Sequence, residues 1–228
     1  LFKNLIFFFQ KKFKRKIEDN AENFFKKKKI IKYFSNGSQD EIPSVFFDLK
    51  NLYQEVTKRK PTCVLEFGVG FSSIAIAIAL KENHSKGFNG HLFVIDPEKK
   101  WISNTRKKFP NELKKFVTFK YSECKLSFFR GQLVSLFDDL PNICPDFIYL
   151  DGPNPDSVNG DSRGLDFKTY NRPIISADIT LYESTSPNNL FILVDGRYRN
   201  VNFLQNNLLY DYKFFQNQVF KYSTFERR

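Results

Sequence analysis

Four acidic residues stand at or near the carboxyl ends of short apolar runs: Glu66, Asp96, Asp151 and Asp195. Glu66 lies two residues before Gly68-Val69-Gly70, where two glycines permit a tight turn and let a ligand reach the backbone without Cβ obstruction. Free N–H groups at the start of the next helix, from about Ser72, suit an anionic group. A GxGxxG dinucleotide fingerprint would need glycine where Ser73 stands, and Glu66 is a poor neighbour for a pyrophosphate. A carboxylate there suits a ligand carrying an ammonium group. Plainer readings stay open: an ordinary tight turn at Gly68, a helix cap at Asp96-Pro97, a turn cap at Asp151-Gly152. His84 and His91 leave little room for a histidine metal site or a Ser-His-Asp triad. Cys63, Cys124 and Cys144 form no CxxC, which excludes a zinc ribbon or a disulfide scaffold.

The elements that must position these acids alternate. After turn-forming residues at 35–41, residues 42–56 carry Val45, Phe46, Leu49, Leu52, Tyr53 and Val56 at helical spacing. Apolar runs at 62–67, 91–96, 116–121, 146–151 and 190–195 then alternate with stretches read as helices at 72–80, 101–109, 128–137 and 174–182. This is the pattern of βα units around a mostly parallel sheet. Two last runs, 212–216 and 219–225, are separated by little more than a turn and should be antiparallel neighbours. Ligands of open α/β sheets bind outside the carboxyl ends of the strands, where the four acids fall.

Glu66-Phe-Gly-Val-Gly70, Asp96 and the closing antiparallel pair resemble the class I S-adenosylmethionine-dependent methyltransferases over roughly residues 42–228. The resemblance implies a Rossmann-like three-layer sandwich. Its seven-stranded sheet would be mostly parallel with an antiparallel final strand, preceded by a basic helical extension at 1–41. It implies S-adenosylmethionine as cofactor, with Glu66, Gly68, Gly70 and Ser72 near its amino-acid part. Asp96 would pair with both ribose hydroxyls, and Ser122 and Glu123 would lie where the family contacts adenine. A capping role competes for the last two. Asp151 falls where the family places acceptor-side chemistry and is the candidate general base. The sequence Asp151-Gly-Pro-Asn154 departs from the Asn/Asp-Pro-Pro-Tyr/Phe of enzymes that methylate amino groups of bases, so DNA N-methylation is disfavoured.

In metal-dependent O-methyltransferases, carboxylates at the fourth and fifth strand ends bind magnesium, which makes Asp151 and Asp195 candidate ligands of Mg2+ or another divalent cation. The sugar-acting enzymes have a second acid after the one matching Asp195, and here Gly196 stands there. Asp156, Asp161, Asp166 and Asp178 are possible replacements that no spacing selects among. The loop 152–172 is long enough to be a lid. Its Arg163, Lys168, Tyr170 and Arg172 suit a phosphate, carboxylate or sugar, and Arg197 and Arg199 could face the same opening. Ordinary surface positions are the alternative for each.

Charge is uneven. The chain has 36 Lys+Arg against 25 Asp+Glu, net +11, and residues 1–34 hold eleven basic residues against three acids, a local +8 that leaves +3 for the other 194. Phe2, Leu5, Ile6, Phe9, Phe13 and Ile17 follow one helical face, and Lys11, Lys12, Lys14, Arg15 and Lys16 most of the other. Packing on the domain or on a second subunit, an anionic membrane surface and nucleic acid are the readings, in that order. The apolar run at 5–9 is too short to span a bilayer, so a cytoplasmic, at most membrane-peripheral, protein is expected. The leading expectation is methyl transfer to an oxygen of a small molecule or glycan. An RNA methyltransferase anchored by the basic segment and a non-catalytic assembly protein are the alternatives.

Overall fold

The computed structural model describes residues 2–34, 45–170 and 172–228, with side chains from residue 12 on. It opens with helix α1 (Phe2–Lys27), followed by α2 (Phe46–Arg59), β1 (Cys63–Phe67), α3 (Phe71–His84), β2 (His91–Asp96), α4 (Lys99–Lys108) and β3 (Val117–Tyr121). Then come β4 (Cys124–Phe129), β5 (Gln132–Phe137), β6 (Phe147–Leu150), β7 (Val158–Asn159) and α5 (Ile179–Glu183). The chain closes with β8 (Phe191–Asp195), α6 (Tyr198–Asn207), β9 (Tyr212–Asn217) and β10 (Tyr222–Arg227).

Seven strands form one sheet in the order β3-β2-β1-β6-β8-β10-β9, with β10 antiparallel to both its neighbours and the other pairings parallel. The central strands β1, β6 and β8 are nearly continuous buried apolar runs, as a parallel sheet covered on both faces requires. One face packs on α2, α3 and the end of α1, the other on α5, α6 and the β4–β5 hairpin. The strand order reverses between β1, which leads outward to β2 and β3, and β6, which leads the other way. That switch point opens a crevice at the carboxyl edge. At the opposite edge Asp146 accepts hydrogen bonds from Thr62 N, Thr62 Oγ1 and Cys63 N at 2.8–3.0 Å, fixing the start of β1 beside β6.

Of the expected 1–41 extension, residues 35–41 lie outside the described residues, and the second half of α1 packs on the domain. Glu18 of α1 accepts from the backbone N–H groups of Phe46 and Phe47, satisfying the open donors at the start of α2 with a negative charge. Phe25 is fully buried, its ring 4.8 Å from that of Phe34, and both belong to the core under α2 and α3. Phe13 and the basic residues 12–16 are exposed, while the side chains of Phe2, Leu5, Ile6, Phe9 and Lys11 lie outside the described residues.

Three expected elements differ. Residues 128–137 are a hairpin rather than a helix. Phe128, Leu133, Val134 and Phe137 imitate helical spacing, but Arg130 and Gly131 both take positive φ, at 48° and 78°, the left-handed pair that joins twisted strands. The expected helix at 174–182 shrinks to α5, because residues 175–177 run extended beside β5 and exchange hydrogen bonds with Ser135. The stretch after Asp195, given no helix in the sequence reading, forms α6. Among the described residues, no helix is long and apolar enough to cross a membrane.

Candidate active site

At the switch point the ends of β1 and β6 meet backbone to backbone. Gly68 N donates to Ile95 O at 2.9 Å, while Asp151 N and Gly152 N both donate to Phe67 O, at 3.0 and 2.7 Å. Gly68 has φ +103°, and a Cβ on it would come within 3.0 Å of Gly152 N; one on Gly152 would come within 2.8 Å of Gly68 Cα. The two glycines let the strand ends touch, and this sets the floor of a cavity of about 280 Å³. A Cβ on Gly70 meets nothing within 4 Å, so that residue fronts open space at the N-terminus of α3.

The cavity gathers residues from distant parts of the sequence. Gly68 and Gly70 come from the β1–α3 turn, Ser72 from the first turn of α3, Asp96 and Glu98 from the end of β2 and the residue before α4, Asp151 from just after β6, and Asp48 from α2. Asp96 Oδ1 accepts from Glu98 N at 2.7 Å, closing a turn ahead of α4; that helix begins at Lys99 with Glu98 at its N-cap, so Asp96-Pro97 does not start it, and Asp96 lines the cavity. Burial lifts its carboxyl to about 7. Glu98 in turn accepts from Ser157 Oγ at 2.7 Å, tying the long loop to the cavity wall.

Glu66 sits one layer behind. It is fully buried, accepts from Ser73 Oγ at 2.6 Å through Oε2, and leaves Oε1 without a protein partner. Burial raises it to about 8 against the opposing hydrogen bonds of Ser72 and Ser73. The geometry therefore gives Glu66 the role of bracing the first turn of α3, with one buried acceptor still to be satisfied.

Asp151 is reached by solvent through the cavity yet ringed by protein, and that burial together with the charge of Asp195 lifts it to about 7. Asp48 is raised to about 7 by burial and by Asp195, Glu18 and Asp151. Tyr149, nearly fully buried on β6, donates to Asp195 Oδ2 at 3.4 Å, and burial raises Asp195. Arg197 donates to the backbone carbonyls of Asp151 and of Pro153, the latter at 2.9 Å, and places its charge beside Asp151 and Asp195. Asp48, Glu98 and Tyr149 were not singled out in the sequence. Asp48 lies in a helix whose apolar periodicity drew attention away from its polar face, and only β6 geometry turns Tyr149 into the cavity.

Two expectations gain no support from this geometry. Ser122 and Glu123 are not part of the cavity lining: buried Ser122 accepts from Asp139 N at 2.9 Å, Glu123 O accepts from Asp138 N at 2.9 Å, and the exposed Glu123 side chain faces Lys125. Both groups hold the turn into β4 against the return from β5. The divalent cation also lacks a built site, since no group of three or more His, Cys, Asp or Glu side chains among the described residues could hold a metal. Asp151 and Asp195 have Arg197 as their neighbouring cation instead, and Asp178 is packed under β5 with Oδ1 accepting from Phe137 N at 3.1 Å.

No protein-family model matches the sequence, and no curated protein matches it. Solved structures do. An S-adenosylhomocysteine-bound methyltransferase of Podospora anserina, PaMTH1, superposes with a TM-score of 0.51 at 14% identity over 93% of this chain and 88% of that one. A methyltransferase from Geobacter sulfurreducens matches at 0.49 and 13% identity over 93% and 89%, and a precorrin-6y C5,15-methyltransferase from Geobacter metallireducens at 0.41 and 15% over 85% and 93%. Strand order, reversed final strand and the first of these likenesses agree: the chain has the Rossmann-like fold of the class I S-adenosylmethionine-dependent methyltransferases.

Proposed function

We propose that this chain transfers a methyl group from S-adenosylmethionine to an oxygen of a small molecule or glycan. The observation that carries the reading is that the glycine turn, Asp96 and Asp151 line one cavity at the sheet's switch point. The cofactor supplies a methyl group already made electrophilic by its sulfonium. Gly70 leaves room for the ligand against the start of α3, Ser72 lines the same wall, and Asp96 offers carboxylate oxygen to a hydroxyl pair. The unpartnered Glu66 Oε1 supplies a buried acceptor for an ammonium or a bridging water.

The chain's remaining tasks are to align the acceptor and remove its proton. Asp151 is suited to the second, because a carboxyl near 7 is basic enough to accept a proton and is still largely ionised just above neutrality. Arg197 clamps the Asp151 backbone and so fixes where its carboxylate points. An RNA acceptor is less favoured, since the chain beyond residue 34 carries only +3.

The test is calorimetric titration of the full chain with S-adenosylhomocysteine, then methyl-transfer assays over hydroxylated acceptors. Micromolar binding is expected; absence of heat or thermal shift at millimolar ligand overturns the reading and leaves a fold without this cofactor.

A further inference from the structure

Beside the main cavity lies a second, of about 200 Å³, that shares Asn154 and Arg197 with it. Three arginines line it, Arg172 from the long loop, Arg197 and Arg199, and no acidic side chain does among the described residues. Gly196 to Arg199 also bring in the N-terminus of α6, a ten-residue helix whose first turn holds no acid. Open N–H groups and the positive end of the helix dipole add to the guanidinium charge there.

Among the described residues none of the three guanidinium groups hydrogen-bonds a carboxylate, although the Arg197 charge stands near Asp151 and Asp195. Arg172 donates to the backbone carbonyl of Asp166 and meets that carboxylate only at 4.0 Å, while Asp166 spends both oxygens on Thr169. Arg199 donates to Tyr198 Oη at 3.3 Å, and Arg197 leaves Nε buried with no partner. Arginine is suited to planar, paired recognition of oxyanions.

We infer that this arginine-lined cavity binds an anionic group of the acceptor, a phosphate, sulfate or carboxylate, and so holds the acceptor with its hydroxyl toward Asp151. The inference rests on the methyltransferase reading for the word acceptor, and on the cavity alone for the anion. Arg197 would report between the two, since it touches the Asp151 backbone on one side and lines the anion cavity on the other.

The experiment titrates inorganic phosphate, sulfate and acetate, at constant ionic strength, into the full chain already saturated with S-adenosylhomocysteine, read by calorimetry. Saturable millimolar or tighter binding of at least one is expected; preference for the tetrahedral anions over acetate identifies a phosphate or sulfate source, and the reverse a carboxylate. Arg172→Gln with Arg199→Gln should weaken it about tenfold or more while S-adenosylhomocysteine affinity holds within twofold. Arg199→Gln alone, at an exposed side chain bonded among the described residues to Tyr198, should give a smaller loss in a chain whose fold is undisturbed. Lys12→Gln with Lys14→Gln removes the same charge elsewhere and should change nothing. No binding of any of the anions, or equal loss in the lysine pair, overturns the anion cavity and leaves the methyltransferase reading standing. Anion binding by a chain that ignores S-adenosylhomocysteine overturns the acceptor role instead.

Discussion

Asp96 and Asp151 share a cavity, yet substitution should separate them. Asp96→Ala is expected to weaken S-adenosylhomocysteine binding by about 10- to 100-fold, the worth of one or two charge-assisted hydrogen bonds, as read by calorimetry. Asp151→Asn should leave that affinity within about twofold and lower kcat by about 10²–10⁴, the usual span for losing a general base. If Asp151 must be ionised to accept the proton, kcat rises with pH through about 7 and levels above it. The Asp195 charge helps hold Asp151 up, so Asp195→Asn should move that limb to lower pH. A limb that stays in place in both variants would remove Asp151 from the proton transfer.

At the scale of elements, the two glycines of the β1–α3 turn do different work. Gly68 takes a left-handed φ and its missing Cβ makes room for Gly152, so Gly68→Ala should cost about 1–3 kcal/mol of stability in urea unfolding. Gly70 has extended φ and open space before it; Gly70→Ala should unfold near the wild-type midpoint but bind S-adenosylhomocysteine more weakly. The same contrast applies along α1. Phe25→Ala removes a fully buried ring and should cost about 3–5 kcal/mol, whereas Phe13→Ala at an exposed position should stay within about 0.5 kcal/mol. Equal effects at Phe13 and Phe25 would mean that α1 is not docked through its second half.

Across the whole molecule, burial has raised an unusual set of carboxyls: Asp48, Asp96, Asp151 and Asp178 to about 7 and Glu66 to about 8. Between their unfolded values near 4 and these folded values, the native state binds more protons than the unfolded chain. Stability therefore falls as pH rises through that window. The melting temperature should be higher at pH 5 than at pH 8. Asp178→Asn, which keeps an acceptor for Phe137 N and removes a buried carboxyl with an unpartnered Oδ2, should flatten the decline. A melting temperature that rises from pH 5 to pH 8 would show these acids to be ionised and paired in the native state.

The amino-acid order by itself determined the alternating βα architecture and the reversed final strand, because apolar runs, turn residues and acids at strand ends are local signals. It also placed Gly68, Gly70, Asp96 and Asp151 at one sheet edge. The hairpin at Cys124–Phe137 was lost because Phe128, Leu133, Val134 and Phe137 imitate a helical face and only the two positive φ angles at Arg130-Gly131 break it. Tertiary structure alone decided which residues share space across long separations. It brought Asp48 of α2 into one cavity with Asp151 after β6, spent Ser122 on a backbone N–H, and set Arg172 and Arg199 in another. It also laid the expected basic helix, α1, against α2, where Glu18 accepts from the first backbone N–H groups of its neighbour. Those outcomes depend on packing distances between elements, which spacing along a chain does not encode.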